Sequence, residues 1–490
     1  MTRAEPLSVI CLAAGAGTRM KSRRAKVLHD IGGRSLVGHA VAAARGLEPD
    51  DLVVVIGYDA DAVGAHVTAA DPGALLAVQA NHKGGTGEAA LVGLEALPAA
   101  DRGTVVVTLG DVPLLETDTL RALLAEHAAA GHAATVLTVE ADDPTGYGRI
   151  VRDADGQVQR IVEQKDATED ERLIREVNSG IFAFDRGFLA EALAALDTDN
   201  AQGERYLTDV VEIARSGGRA VGARLLADGW QLEGVNDRAQ LARLGAELNR
   251  RVLDRWMREG VTVVDPATTW VDVTVRLAPD VTLRPGVQLH GSTKVDEGTE
   301  IGPDTTLMDV EVGRDARVVR THGTDAVIGE RANVGPFAYL RPGTRLGSAG
   351  KIGTFVETKN AEIGEGAKVP HLSYAGDVTI GEGSNIGAGT IFANYDGVAK
   401  HHTTIGRHCR TGSDNVFVAP VELGDGAATG AGTVVRRDVP PGALAVSSGP
   451  QRHIEDWVGR KRPGSASDQA ASEARAAAEQ TDNGSGDPSP

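Results

Sequence analysis

The sequence predicts two folds in series: a doubly wound α/β domain followed by a parallel β-helix. Two observations carry this. Residues 1 to about 237 alternate β-branched apolar runs with alanine-rich amphipathic stretches, the βαβ pattern of a parallel sheet. After Gly260 the apolar period changes to six, which fits neither a helix nor a simple strand.

The first strand is "LSVICLA", which runs into "AGAGTRM". Its positive charges follow the apolar run, in "RMKSRRAK", which disfavours an export signal and marks a buried strand. "LVVVIG" (52–57), "TVVVTLGD" (104–111) and "ATVLTVE" (134–140) read as further buried parallel strands. "SLVGHAVAAARGL" and "TLRALLAEHAAAG" read as crossover helices between them. In such a sheet ligands bind at the carboxyl ends of the strands.

Residues 237–259 form a charged amphipathic connector, with Asp237 as its N-cap and Gly260 past its end. The six-residue phase then holds through Ile328, Val334, Leu340, Leu346 and Ile352, with Gly following four of them. It returns at Ile405, Thr411, Phe417, Leu423, Thr429 and Val435, and a shorter run is Ile380, Ile386 and Phe392. Each unit supplies one short strand and a corner, and three units close one triangular coil. The phase breaks over "ANYDGVAKHHTT", an inserted loop of the kind that carries function on repeat scaffolds. Beyond Trp457 the composition is polar and of low complexity, so residues 458–490 are expected to be disordered.

Composition bounds the chemistry. With 50 Lys+Arg against 68 Asp+Glu the net charge is −18, which argues against a nucleic-acid binder. Two isolated cysteines, Cys11 and Cys409, fit a reducing cytoplasm and offer no metal-ligand spacing. No stretch approaches the roughly 20 apolar residues of a membrane span.

"GAGTRM" has Met20 where a dinucleotide fingerprint needs its third glycine, and it lacks the Gly-Lys-Ser/Thr end of a P-loop. What remains is a strand, a tight glycine turn and two cations, Arg19 and Lys26: a phosphate site. "LAAGAGTRM" followed by "KVLH" resembles the signature of sugar-1-phosphate nucleotidyltransferases. The match is strongest to the bifunctional bacterial N-acetylglucosamine-1-phosphate uridyltransferase/glucosamine-1-phosphate acetyltransferase family, and it covers about residues 7–457.

The resemblance implies a Rossmann-like nucleotidyltransferase domain over 1–236, a linker helix over 237–259, and a left-handed β-helix acetyltransferase domain over 260–457. In the first domain Leu12, Ala13, Ala14 and Gly15 would line the uracil and ribose, and Gly85 and Thr86 of "GGTGE" would contact the base. Arg19 and Lys26 would bind the UTP triphosphate and stabilise charge at the α-phosphorus. Asp111 of "LGD" and Asn236 of "GVNDR" would ligate Mg²⁺, while Gly148, Glu163 and Asn178 would hold the amino sugar.

Two departures stand out. Glu88 stands where the family has His, and Gln79, the candidate base contact, lies one residue farther from Gly85 than the family spacing.

In the second domain the same resemblance makes His371 the general base, with Glu357 or Asp377 as its orienter. Arg341 and Lys359 would bind the phosphate of glucosamine-1-phosphate, and Tyr374 and Asn385 its ring. Ala388, Asn394, Tyr395, Lys400, Ser413, Ala431 and Ser448 would bind acetyl-CoA. Trp457 would stack on CoA, stack on a neighbouring subunit, or pin the last ordered segment. The family's β-helices associate in threes, so a homotrimer is expected, in the cytoplasm, with no membrane or nucleic-acid partner. A nucleotidyltransferase with a purely regulatory β-helix has no use for "VPHLSYAGD" and "ANYDG". A non-catalytic exchange-factor subunit has no need of Asp111, Asn236, Arg19 and Lys26 together.

Overall fold

A computed structural model describes residues 5–81, 84–447, 449 and 451–483. The N-terminal domain is built on nine strands with helices on both faces. In chain order they include β1 (Leu7–Ala13), α1 (Leu36–Arg45), β2 (Asp51–Ile56), α2 (Ala60–Ala70), β3 (Leu75–Val78), α3 (Gly85–Glu95), β4 (Thr104–Leu109), α4 (Thr117–Ala130) and β5 (Ala134–Glu140). They continue with β6 (Arg149–Arg152), β7 (Val158–Val162), β8 (Glu176–Asp185), α5 (Arg186–Ala195), α6 (Asp209–Ser216) and β9 (Val221–Leu225).

The main path runs β9-β5-β8-β4-β1-β2-β3. β1 lies at its centre, parallel to β2 and β4, and it is buried along nearly its whole length because "LSVICLA" is apolar on both faces. Burial pushes the Cys11 thiol up to about 12, so it packs as a small apolar group.

The sheet is mixed: the runs read as parallel strands point one way, and β8, which the sequence reading did not include, is inserted against them. β8 enters between β4 and β5 and runs antiparallel to both. β5 is parallel only to β9. Its run of buried residues is two-sided in either pairing, so the apolar pattern does not register the strand direction.

α7 (Arg238–Arg258) follows, capped by the Asp237 carboxylate, which accepts from the Gln240 amide at 2.8 Å. Asn249 on α7 bonds both sides of the first β-helix strand it meets. Its amide donates to Thr269 O at 2.8 Å and its carbonyl accepts from Val271 N at 3.0 Å. The N-terminal domain touches the same coil through Val273 N, which donates to Gly32 O at 2.9 Å.

The rest is a left-handed parallel β-helix of short strands from Thr262–Val263 to Leu444–Ala445. One inward ladder shows its construction: Leu277 pairs with Val295, then Val312, Ile328, Leu346, Ile363, Ile380, Ile405 and Leu423. These side chains form one continuous core with the end of α7. The step from Ile380 to Ile405 is lengthened by the inserted loop, as the broken phase predicts. Many corners are left-handed, and aspartate takes several of them (Asp280, Asp304, Asp315, Asp414) because its short polar side chain tolerates positive φ.

The tail differs from expectation. Where low complexity predicts disorder, the described residues hold α8 (Trp457–Lys461) and α9 (Ala466–Asn483). Alanine and glutamate are strong helix formers, and α9 turns mostly exposed residues to solvent, so local propensity and not burial writes this helix.

Candidate functional site

The first site lies at the carboxyl ends of β1 and β4. β1 delivers Leu12 and Ala13 to a cleft of about 330 Å³, and the following turn adds Ala14 and Gly15. Gly17 closes this turn at φ 58, and a Cβ there would lie 2.4 Å from Lys26 Cβ. Only glycine lets the turn press against the Lys26 stem. Val27 and Leu28 are buried and anchor the short helical turn that aims the lysine inward.

Lys26 is the electrostatic centre of the cleft. Its ammonium pairs with the Asp111 carboxylate and donates to Asn236 Oδ1 at 3.3 Å. The Lys26 side chain is only 10% exposed and that of Asp111 21%, so the pair is weakly screened. Asp111 follows the end of β4, and its carbonyl accepts from Val235 N at 2.9 Å, which holds the Asn236 loop against it. Arg19 is exposed on a short turn pinned by buried Met20, and its guanidinium has no ion pair among the described residues.

Across the cleft sits the N-terminus of α3. Gly85 has φ +81 and a Cβ on it would meet Arg205 O at 2.5 Å, so no other residue fits. The Thr86 hydroxyl accepts from Leu207 N at 3.1 Å, Gly87 N donates to Arg205 O at 2.8 Å, and Arg205 N donates to Gly84 O at 3.0 Å. Gln79, buried beyond the end of β3, lines the cleft despite its shifted spacing and donates to Gly85 O at 3.2 Å. The clasp by residues 204–207 was not foreseen, because it acts chiefly through backbone groups that no side-chain motif announces.

Gly148, Glu163 and Asn178 also come together, at β6, β7 and β8. Gly148 O accepts from Asn178 N at 2.8 Å, and a Cβ on Gly148 would come 3.4 Å from Glu163 Oε1. Burial pushes the Glu163 carboxyl up, partly offset by a hydrogen bond from the Thr208 hydroxyl at 3.2 Å.

The second site is on the β-helix. Glu357 and Tyr374 are paired neighbours in successive coils, and Lys359 follows on the same strand. Arg341 donates to Glu357 at 2.9 Å. Asn394 donates to Asp377 and, at 3.3 Å, to the Tyr374 hydroxyl. Burial alone would raise the Asp377 carboxyl, but the amides of Asn360 and Asn394 outweigh it and hold the group below the usual range. Lys400, in the inserted loop, faces Lys359, and this like-charge neighbour lowers its pKa. Two ammonium groups set together favour an anion between them.

The loop is braced at Asp396, which accepts from Val398 N at 2.8 Å, Ala399 N at 2.7 Å and His401 Nε2 at 2.7 Å. Tyr395 is exposed, and its hydroxyl donates to Gly397 O.

His371 ends the strand Lys368–His371, exposed at a corner of the prism. Neither Glu357 nor Asp377 bonds its ring; both carboxylates are engaged as described. Asn385 stands on another ladder, bridged to Lys368 and Arg410. Ala388, Ser413 and Ala431 follow one corner over successive coils: Asp414 N donates to Ala388 O at 2.7 Å and Gly432 N to Ser413 O at 2.8 Å. Ser448 lies outside the described residues. Trp457 is partly exposed under the Arg462 guanidinium, 5.1 Å from its ring centre.

Comparison with known proteins gives the family of the chain. The MobA-like NTP transferase domain family matches residues 9–209. Bifunctional protein GlmU of Kineococcus radiotolerans is 60% identical over 471 residues, 96% of each chain. That of Streptomyces avermitilis is 60% identical over 472 residues, 96% of this chain and 98% of the relative. That of Corynebacterium efficiens is 59% identical over 472 residues, 96% of this chain and 97% of the relative. With identity of this level running through the α/β cleft, the connecting helix and the β-helix alike, the chain belongs to the bifunctional GlmU family.

Proposed function

We propose that the two sites work in sequence through the residues named above. The chain is a bifunctional transferase that makes UDP-N-acetylglucosamine. An acetyl group passes from acetyl-CoA to glucosamine-1-phosphate. A uridylyl group then passes from UTP to N-acetylglucosamine-1-phosphate, with release of pyrophosphate. The product feeds peptidoglycan and other cell-wall polymers. The observation that carries the division of labour is the separation of two polar constellations, Lys26–Asp111–Asn236 in the α/β cleft and Lys359–Lys400–Tyr374–Asn394 on the prism.

In the first site the sugar phosphate is already a nucleophile, so the protein supplies alignment and charge. An oxygen of the sugar phosphate bonds to the α-phosphorus of UTP as the bond to the departing pyrophosphate breaks. Arg19 and Lys26 neutralise the charge that spreads over the phosphoryl oxygens. Asp111 and Asn236 hold Mg²⁺. Their carboxylate and amide oxygens are hard donors that already converge on one cation, the Lys26 ammonium. When bound, the ion supplies further positive charge to the triphosphate. Among the described residues no three acidic, His or Cys side chains gather to hold a metal alone, which suits a site completed by substrate phosphates. Leu12 to Gly15, Gln79, Gly85 and Thr86 seat the nucleoside, and Gly148, Glu163 and Asn178 the amino sugar.

In the second site His371 takes a proton from the glucosamine amine, whose nitrogen attacks the thioester carbon as CoA thiolate leaves. Arg341 and Lys359 hold the phosphate. Lys400, expected at CoA, faces Lys359, and we place it on that same phosphate. Tyr374 and Asn385 take the sugar ring. Ala388, Asn394, Tyr395, Ser413 and Ala431 seat acetyl-CoA along the glycine-lined corner.

We further propose a homotrimer with the acetyl-transfer site between subunits. Support comes from an exposed apolar ladder beside His371: Phe337, Phe355 and Leu372 are 51%, 60% and 61% exposed on successive coils. The two phenyl rings stack at 5.4 Å. Such a patch marks a protein interface. It also supports a site in which the ring of His371, unbonded by Glu357 or Asp377, is oriented across that interface. No helix among the described residues is long and apolar enough to cross a membrane, and both cysteines are free and buried, which supports a cytoplasmic enzyme.

One preparation tests this. Sedimentation should give three times the 50.9 kDa chain mass. The same sample with glucosamine-1-phosphate, acetyl-CoA, UTP and Mg²⁺ should form UDP-N-acetylglucosamine. A monomer would remove the shared site, and failure to form the sugar nucleotide would remove the proposal.

A further inference from the structure

The turn that enters α3 contains a glycine whose backbone does not need to be glycine. Gly84 has φ −75 and ψ −13, ordinary helical values open to any residue. What it lacks is room. A Cβ on Gly84 would lie 1.4 Å from Glu88 Oε2 and 2.2 Å from the carboxyl carbon. The Glu88 side chain, in the first turn of α3, folds back over the helix N-terminus, where a carboxylate is favoured, and fills the space beside the Gly84 α-carbon. From there Glu88 Oε2 accepts a hydrogen bond from Asn81 Nδ2 at 3.0 Å. Gly84 N closes the same loop by donating to Asn81 O at 3.0 Å.

Glu88 does not line the cleft itself. It fastens a loop whose two ends do: Gln79 on one side and Gly85 with Thr86 on the other, joined by the Gln79–Gly85 bond. The far side of the turn is already fixed to Arg205. The Asn81–Glu88 bond ties Asn81, on the near side, to the first turn of α3.

We propose that Glu88 is a positioning residue for the nucleobase, and that Gly84 and Glu88 act as one unit: the carboxylate seated over Gly84 and bonded to Asn81 holds Gln79, Gly85 and Thr86 at the spacing the base requires. This rests on the assignment of Gly85 and Thr86 to the base. It gives a role to the carboxylate that stands where the family has His, and it lets Gln79 reach the cleft despite its shifted spacing.

The test is steady-state uridyl transfer by the full chain, with acetyl transfer as a control for folding. Glu88→Ala should raise KM for UTP about fivefold, the effect of losing one ordinary hydrogen bond, with kcat within about twofold. Glu88→Gln should restore KM, because its amide oxygen accepts the same bond from Asn81. Gly84→Ala should raise KM by a similar factor, since its methyl displaces the carboxylate. Gly84→Ala added to Glu88→Ala should raise KM no further, the non-additivity of two changes that break one contact.

A side chain that merely caps the helix would shift the melting temperature and leave KM alone, and that result overturns the proposal. So does multiplication of the two single effects. Thr86→Ala separates the levels: if it raises KM while Glu88→Ala does not, the positioning role fails and the base site stands. If Thr86→Ala leaves KM unchanged, the base assignment fails, and the inference with it.

Discussion

Lys26 shows how much one side chain can organise. Gly17 packs on its stem, buried Val27 and Leu28 fix its turn, and its ammonium gathers Asp111 and Asn236 from segments far apart in sequence. In the role proposed for it, a cation so little exposed is already desolvated and aimed before UTP arrives, so little reorganisation remains for the transition state. Replacing Lys26 with Ala should lower kcat for pyrophosphate release by about 10²–10³, the cost of losing one preorganised charge donor, and leave CoA release unchanged. Equal loss of both activities would show that Lys26 supports the fold instead. The glycine turn with Arg19 and Lys26 was legible as a candidate phosphate site from residue chemistry alone, whereas Asp111 and Asn236 entered through the family resemblance. The contact of Lys26 with Asp111 and Asn236 was not legible. Nothing in "GVNDR" says that Asn236 meets Lys26, since that follows from how the last loop of the domain folds back over Asp111.

The elements were read with uneven success, for physical reasons. The β-helix declared itself because each coil repeats the same steric problem: an apolar residue inside, a small residue where backbones meet. Gly387, Gly412 and Gly430 follow one corner. A Cβ on Gly387 would lie 2.1 Å from Gly412 O, and one on Gly412 would lie 2.5 Å from Ala431 N and from Gly430 C. These contacts are backbone on backbone and cannot rotate away. Gly412→Ala should therefore destabilise the prism by about 1–3 kcal/mol, read as a lower melting temperature, and weaken acetyl transfer, because Ser413 and Ala431 lie on the same corner. An unchanged melting temperature would contradict the packing described. The antiparallel entry of β8 was hidden, because a two-sided buried strand has the same composition in either direction. The tail was misread for the opposite reason: low complexity marks the lack of a core, yet alanine-rich segments form helix from local propensity alone.

At the scale of the whole molecule, α7 joins two folds that solve different problems. The open sheet offers a deep cleft at strand ends, suited to a triphosphate and a metal ion. The prism offers stacked corners and a projecting loop, suited to an extended thioester and, in the proposed trimer, completed by its neighbours. The sites share a chain but no side chain, so the intermediate must leave one and enter the other. The most direct measurement uses two variants, Asp111→Ala and His371→Ala. The first should release CoA but no pyrophosphate, and the second pyrophosphate from N-acetylglucosamine-1-phosphate but no CoA. Mixed together with glucosamine-1-phosphate, acetyl-CoA, UTP and Mg²⁺, they should form UDP-N-acetylglucosamine at a rate approaching that of the unaltered chain. If either variant, still folded, lost both activities, or if the mixture formed no product, the two sites would not be independent and the account would be wrong.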